Sequence, residues 1–185
     1  MSFVEAIDKG TPILILSGAH VGCQELIATD QVRAIRDLKG KTIAVPWGSP
    51  QSWSIVTILR HIGFDYRTDV RFVDHPTAEA VELLAEGKID ALMAGPPITQ
   101  ELRARKIGHV VLNMTTDRPW SQYFCCMVVA NKEFVRKHPA ATKRAVRAVL
   151  KADRICALEP ERVARHRRSG VHEGYYQPNP FGALK

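Results

Sequence analysis

The 185 residues carry 45% hydrophobic and 24% charged side chains, enough for one domain with a sizeable core, or one domain plus pieces of another, in ordinary globular proportions. No apolar run approaches the roughly 20 residues that span a bilayer, which argues against direct membrane insertion, and residues 1–10 lack the basic and apolar regions of a secretory signal. The net charge of +7 sits largely in Arg60–Arg71, Arg103–Lys106, Lys132–Arg154 and Arg162–Arg168, scattered segments that read as solvated helix faces. No aromatic-interleaved basic patch accompanies them, so nucleic acid is not an expected partner.

In chain order, Phe3–Lys9 reads as the end of a helix stopped by Gly10. Pro12–Ser17 is a continuous apolar run, the pattern of a strand buried on both faces. Gly18–Gly22 follows as a small-residue turn, and Cys23–Ala28 as a second strand. A regular alternation then begins. Thr42–Val45 is a predicted strand, and Gln51–Ile62 a helix with Ile55, Ile58, Leu59 and Ile62 on one face. Strand Val70–Asp74, helix Thr77–Glu86, strand Ile89–Ala94, helix Ile98–Arg105 and strand His109–Leu112 follow. This order predicts an α/β fold with a parallel or mostly parallel sheet and helices on both faces. Phe124–Ala130 is a further strand, Glu133–His138 a helical turn, and Pro139 opens a long helix striped by Val146, Val149 and Leu150. His166–Lys185, rich in Gly and Pro without apolar periodicity, is expected to be an unpacked tail.

Three loops carry the candidate site. Around Val45-Pro46-Trp47-Gly48-Ser49-Pro50-Gln51 a buried strand runs directly into a helix. Ser49 suits the N-cap and Pro50 the first helical position. The free N–H groups and the helix dipole would favour an anion there, and Gly48 would admit it close to the backbone. Trp47, Gly48, Ser49 and Gln51 are therefore candidate ligand contacts. A plain capped helix start explains the same residues. The turn's place at the carboxyl end of its strand, where open α/β sheets hold ligands, favours the site. Gly95 and Pro96 close the next strand and are expected on the same rim, whereas Asp90, near the start of that strand, is expected to be structural. Trp120 and Tyr123 could wall a pocket with their apolar bodies and polar tips, or simply anchor a loop. His20 could donate to a ligand or be a satisfied structural histidine.

The four cysteines, Cys23, Cys125, Cys126 and Cys156, form no CxxC or Cys/His metal spacing and read as small buried hydrophobes, with Cys125 and Cys126 on opposite faces of their strand. No GxSxG, P-loop, GxGxxG or HExxH pattern occurs. The chain thus offers binding loops without an evident catalytic pair, and no metal or cofactor is expected.

FVEAIDKGTPILILSG, DLKGKTIAVPWGSP, AVELLAEGKIDALMAGPP and FVRKHPAATKRAVRAVLKA, in that order, resemble the solute-binding proteins of ABC importers for nitrate, sulfonates, taurine and thiamine-pyrimidine precursors. The resemblance covers roughly residues 3–165. It implies a type II periplasmic-binding-protein-like fold of two α/β lobes with the solute held in the cleft between them, without chemistry. It divides the chain into a remnant of lobe 1 with a first crossing strand (1–30), a complete lobe 2 (31–117), a return crossing strand with the long helix of lobe 1 (118–165), and an atypical tail (166–185). The family's opening strands and closing helices have no counterpart, as in a chain truncated at both ends. The implied partners are a small-molecule solute and the ABC permease and ATPase subunits. The implied location is periplasmic, although a chain without a signal is expected to stay in the cytoplasm. Two alternatives share the fold: an enzyme resembling the thiamine-pyrimidine synthases, whose dense iron-binding cysteine cluster Phe124-Cys125-Cys126 echoes only faintly and with too few cysteines, and a ligand-sensing regulatory domain.

Overall fold

The computed structural model describes residues 3–168. The chain falls into two compact units, the first ending at Val129 and the second beginning at Ala130. In the first unit α1 (Phe3–Asp8) leads to β1 (Ile13–Val21), and then come β2 (Glu25–Ala28), β3 (Thr42–Ala44), α2 (Pro50–His61), β4 (Arg71–Val73), α3 (Thr77–Ala85), β5 (Ala91–Ala94), α4 (Ile98–Arg105) and β6 (His109–Asn113). β7 (Phe124–Asn131) closes this series and pairs with β1 in a two-stranded sheet. The second unit is helical: α5 (Lys132–Lys137), α6 (Pro139–Leu158) and α7 (Pro160–Arg168).

The other five strands form one sheet in the order β4-β3-β5-β2-β6. β3 is parallel to both β4 and β5, and β2 is antiparallel to both β5 and β6. Four strands therefore share one direction, and β2 alone runs against them, between β5 and β6. The predicted mostly parallel sheet is present, and Glu25–Ala28 is one of its interior strands.

The pleat sends alternate residues to opposite faces. Leu26, Ile43, Val45, Ala91 and Met93 face one way and meet Ile55, Ile58 and Leu59 of α2. Ile27, Ala44, Leu92 and Ala94 face the other way and meet Ala80, Val81 and Leu84 of α3 and Leu102 of α4. Each such fully buried aliphatic side chain stabilises by roughly 1.5–3 kcal/mol. Asp90 ties the sheet's near end. Its carboxylate accepts from the Thr42 N–H at 2.8 Å and lies 3.5 Å from Lys41 Nζ, which is the structural role expected of it.

Three expectations need correction. Gly18, Ala19 and His20 belong to β1, not to a turn. β1 is also not buried on both faces, since Leu14 and Ile15 are exposed; a two-stranded ladder has too few neighbours to cover an apolar strand twice. Finally, the irregular tail expected from His166 is helical as far as Arg168, and the rest of it lies outside the described residues.

Candidate functional site

The shared strand direction brings several loops to one rim. Trp47-Gly48-Ser49 leaves the carboxyl end of β3, Asp74 that of β4 and Gly95-Pro96 that of β5. β2 enters from the same rim, because Glu25 lies opposite Ala94 on one side and Asn113 on the other. His20, Cys23 and Gln24 precede it there.

At the β3 turn Gly48 takes φ +77°, a left-handed conformation that glycine adopts without steric cost. Ser49 caps α2, its Oγ accepting from the Ser52 N–H at 3.3 Å, while the Ser52 hydroxyl donates to the Ser49 carbonyl at 2.8 Å. Pro50 is the first helical residue. The Trp47 N–H donates to Asp74 Oδ1 at 3.1 Å, so Asp74 already holds one donor of this turn and places a carboxylate beside it. Trp47 is 56% exposed, its ring tilted on Phe72 with centroids 5.4 Å apart. Together with Gly48, Ser52 and Trp53 it lines a small pocket of about 120 Å³. Gln51 is half-buried on the first turn of α2.

Trp120 and Tyr123 lie elsewhere, in and after a short 3₁₀ turn before β7. Trp120 packs edge-on against His61, centroids 5.3 Å apart, and Tyr123 is 64% exposed. They line a groove of about 720 Å³ with Trp53, Arg60, His61 and Met114. Trp53 lines both this groove and the Trp47 pocket, and so links the two aromatic clusters. Sequence reasoning missed it, because one exposed Trp on an otherwise regular helix carries no signal of what stands beside it.

Gly95 stands against Cys23: a Cβ at position 95 would come within 2.8 Å of the Cys23 carbonyl oxygen. Pro96 follows it, exposed. Cys23 itself has φ +103°, a region that costs a non-glycine residue on the order of 1–3 kcal/mol. Its Sγ lies 2.7 Å from Cys125 Sγ and 3.8 Å from Cys126 Sγ. Exposed His20 turns Nδ1 toward the Val21 carbonyl at 3.2 Å. The sulfur–sulfur hydrogen bond, followed by burial, pushes the Cys23 thiol well above its ordinary value, and the same bond holds Cys125 down to about 6. Burial raises Cys126. The cysteines are therefore not buried hydrophobes: Cys126 and Cys156 are exposed, and Cys23 and Cys125 half-buried. Nor do Cys125 and Cys126 part company, since both reach Cys23.

Two further polar groups on the rim carried no sequence signal. The Glu25 carboxylate, only 12% exposed, is ion-paired with Arg103 and accepts from Asn113 Nδ2 at 3.0 Å. Gln24 is buried, and its Oε1 has no partner among the described residues.

Comparison with known proteins matches residues 7–168 to the NMT1-like family. The taurine-binding periplasmic protein of Escherichia coli (strain K12) is 25% identical over 170 residues, covering 88% of this chain and 52% of that protein. Among solved structures, the periplasmic aliphatic sulphonate binding protein SsuA from Escherichia coli superimposes with a TM-score of 0.71 at 17% identity, covering 85% of this chain and 54% of that one. The periplasmic nitrate-binding protein NrtA from Synechocystis PCC 6803 gives 0.65 at 17% identity, covering 95% and 49%. The chain thus spans about half the length of the relatives it matches. The likeness shows the fold: α/β, periplasmic-binding-protein-like, with one lobe built on the five-stranded sheet and part of a second.

Proposed function

The chain belongs to the NMT1-like family, and from that premise we propose that it serves as the substrate-binding component of an ABC importer, holding a small anionic solute such as a sulfonate, taurine or nitrate without transforming it. The observation that carries this reading is the β3 turn. A glycine at positive φ, a Ser-capped helix start and the exposed Trp47 and Trp53 stand together at the carboxyl end of a parallel strand. N–H groups at a helix start suit an anionic head group, and indole faces suit a short apolar tail. Gly95 on the adjoining strand end, His20 beside Cys23, and the Trp120–Tyr123 groove supply further walls to the same solute or to its approach. That relatives include taurine-, sulphonate- and nitrate-binding proteins supports this class of solute over a neutral pyrimidine. It also supports a binder over the enzyme or regulatory alternatives. On this reading the working partners are a permease and an ATPase, and the place of work is the periplasm.

Capture on this rim is weak. With Trp47 more than half exposed, water competes for each donor, and a hydrogen bond keeps only its net ~0.5–1.5 kcal/mol. Calorimetric titration with taurine, an alkanesulfonate and nitrate should give dissociation constants in the millimolar range, with Trp47→Ala weakening the sulfonates at least threefold. Absence of any saturable response to all three ligands would sink the reading. Submicromolar binding would overturn the expectation of weak capture on an open rim.

A further inference from the structure

We propose that His20, Cys23 and Cys126 form a binding site for a thiophilic divalent cation of the zinc class. The ligand atoms of the three side chains all lie within 4.8 Å of one another. Cys23 Sγ and Cys126 Sγ are 3.8 Å apart. Two sulfurs bound to one zinc at ~2.3 Å with a tetrahedral angle stand about 3.8 Å apart, so this pair is already at chelating distance. His20 supplies the third ligand in the right tautomer. The Val21 carbonyl can only accept, so the Nδ1 that faces it at 3.2 Å carries the proton, and Nε2 keeps its lone pair. A backbone carbonyl on the far ring nitrogen is also the usual orienting partner of a zinc-bound imidazole.

The backbone holds the set in place. Cys23 sits at φ +103°, where a side chain other than glycine persists only if its surroundings enforce it. Here the enforcing neighbours are Gly95, which admits the Cys23 carbonyl, and Gly22, where a Cβ would strike Thr115 at 2.1 Å. Cys125 stays outside the coordination shell. At 2.7 Å from Cys23 Sγ the two sulfurs are too close to serve one ion, and Cys125 instead hydrogen-bonds the Cys23 sulfur. The fourth position is left to water or to an anionic ligand. On binding, Cys126 releases its proton to solvent, the proton held between Cys23 and Cys125 passes to the Cys125 sulfur, neutral His20 releases none, and the dication offsets the two thiolates of Cys23 and Cys126. No electron moves. The proposal is independent of the solute-binding reading, since none of the three residues needs a solute to bind the ion.

The test uses the tag-free, fully reduced chain, with its four free cysteines confirmed by thiol titration. Cobalt(II) added anaerobically should saturate at one equivalent, giving the visible bands of tetrahedral cobalt and a near-ultraviolet thiolate-to-cobalt charge-transfer band. One equivalent of zinc should abolish both. Cys23→Ser and Cys126→Ser should each cut the charge-transfer intensity and weaken zinc binding at least tenfold. His20→Gln should weaken it at least tenfold while keeping the two-thiolate band. Cys125→Ser and Cys156→Ser should leave stoichiometry and bands intact. Far-ultraviolet circular dichroism checks the fold of each variant, and if Cys23→Ser fails to fold, Cys126→Ser and His20→Gln decide. A reduced chain that gives no charge-transfer band overturns the site. So does a band that survives both Cys126→Ser and His20→Gln, or one that disappears in Cys125→Ser.

Discussion

The two sheets of the first unit are made of similar residues and end up in different environments. In the five-stranded sheet every residue of β3 and of β5 is buried. In the two-stranded sheet β1 holds no fully buried residue, and β7 keeps Phe124 64% exposed. Yet Ile13-Leu14-Ile15-Leu16 is, if anything, more apolar than Thr42-Ile43-Ala44. Burial is thus set by what flanks a strand. β3 and β5 lie between other strands and under α2 on one face and α3 and α4 on the other, whereas among the described residues β1 and β7 have only each other as paired strands. The second unit, taken by itself, resembles the poorer case: of the twenty residues of α6 only Thr142 is buried, and Leu158 is 68% exposed.

The largest expected effect comes from breaking the well-covered sheet. Leu92→Ala removes a fully buried side chain and should cost about 2–5 kcal/mol in urea unfolding. Leu14→Ala on β1 should change stability by no more than about 0.5 kcal/mol. The comparison fails if the two variants cost the same at low protein concentration. A Leu14→Ala cost that grows with protein concentration would instead show that the exposed ladder is covered by a second copy, which is what contiguous exposed apolar surface favours.

The same contrast explains what could be read from the sequence. Strands and helices from Thr42 to Leu112 were legible to within a residue or two, because each is short, periodic and punctuated by Gly or Pro. Ile98–Arg105 was expected and found with the same bounds. The rim was legible as well: two turns following parallel strands must share an end. What could not be read is contact between distant segments. Cys23 meets Cys125 across 102 positions, so no spacing rule finds the pair, and the positive φ that aims Cys23 leaves no trace in its residue type. Burial of β1 was misjudged for the same reason, since an apolar run specifies a strand and not its neighbours. The ligand roles assigned to Trp47, Gly48, Ser49, Gln51, Gly95, Pro96, His20, Trp120 and Tyr123 remain proposals, because geometry brings most of them to one rim without naming what they hold.

A smaller effect sharpens the comparison at two helix caps. Ser49 caps α2, which packs on the sheet, and the Asn131 side chain caps α5 by accepting from the Glu133 and Phe134 N–H groups at 2.9 and 3.1 Å. Either cap removed by alanine should cost its own helix about 1 kcal/mol. Only Ser49→Ala should appear in full in the main unfolding transition, because α2 unfolds with the buried core. Asn131→Ala should move that transition by less than half as much, and hydrogen exchange should place its effect in residues 132–137. Equal shifts in the main transition would mean that α5 folds cooperatively with the sheet.

The smallest effect tests whether charges on the well-packed lobe matter once its core is in place. Arg105 donates to Glu82 at 2.6 and 2.9 Å, tying α4 to α3, and to Glu101 at 3.1 Å. The guanidinium beside Glu82 holds its carboxyl below the usual glutamate value. A carboxyl depressed in the folded state binds its proton more readily in the unfolded chain, so it adds stability that is fully present above the unfolded value, ~4.3, and disappears as pH falls through the lower folded value. Because the group is solvent-exposed, salt should screen most of the effect. Stability curves of the native chain and of Glu82→Gln should therefore lie apart near pH 7 at low salt, by less than the separation Ser49→Ala produces. They should converge below pH 4, and they should nearly coincide at every pH in 1 M salt. A gap that persists in high salt, or that widens as pH falls, would show that Glu82 acts through packing between α3 and α4 rather than through its charge.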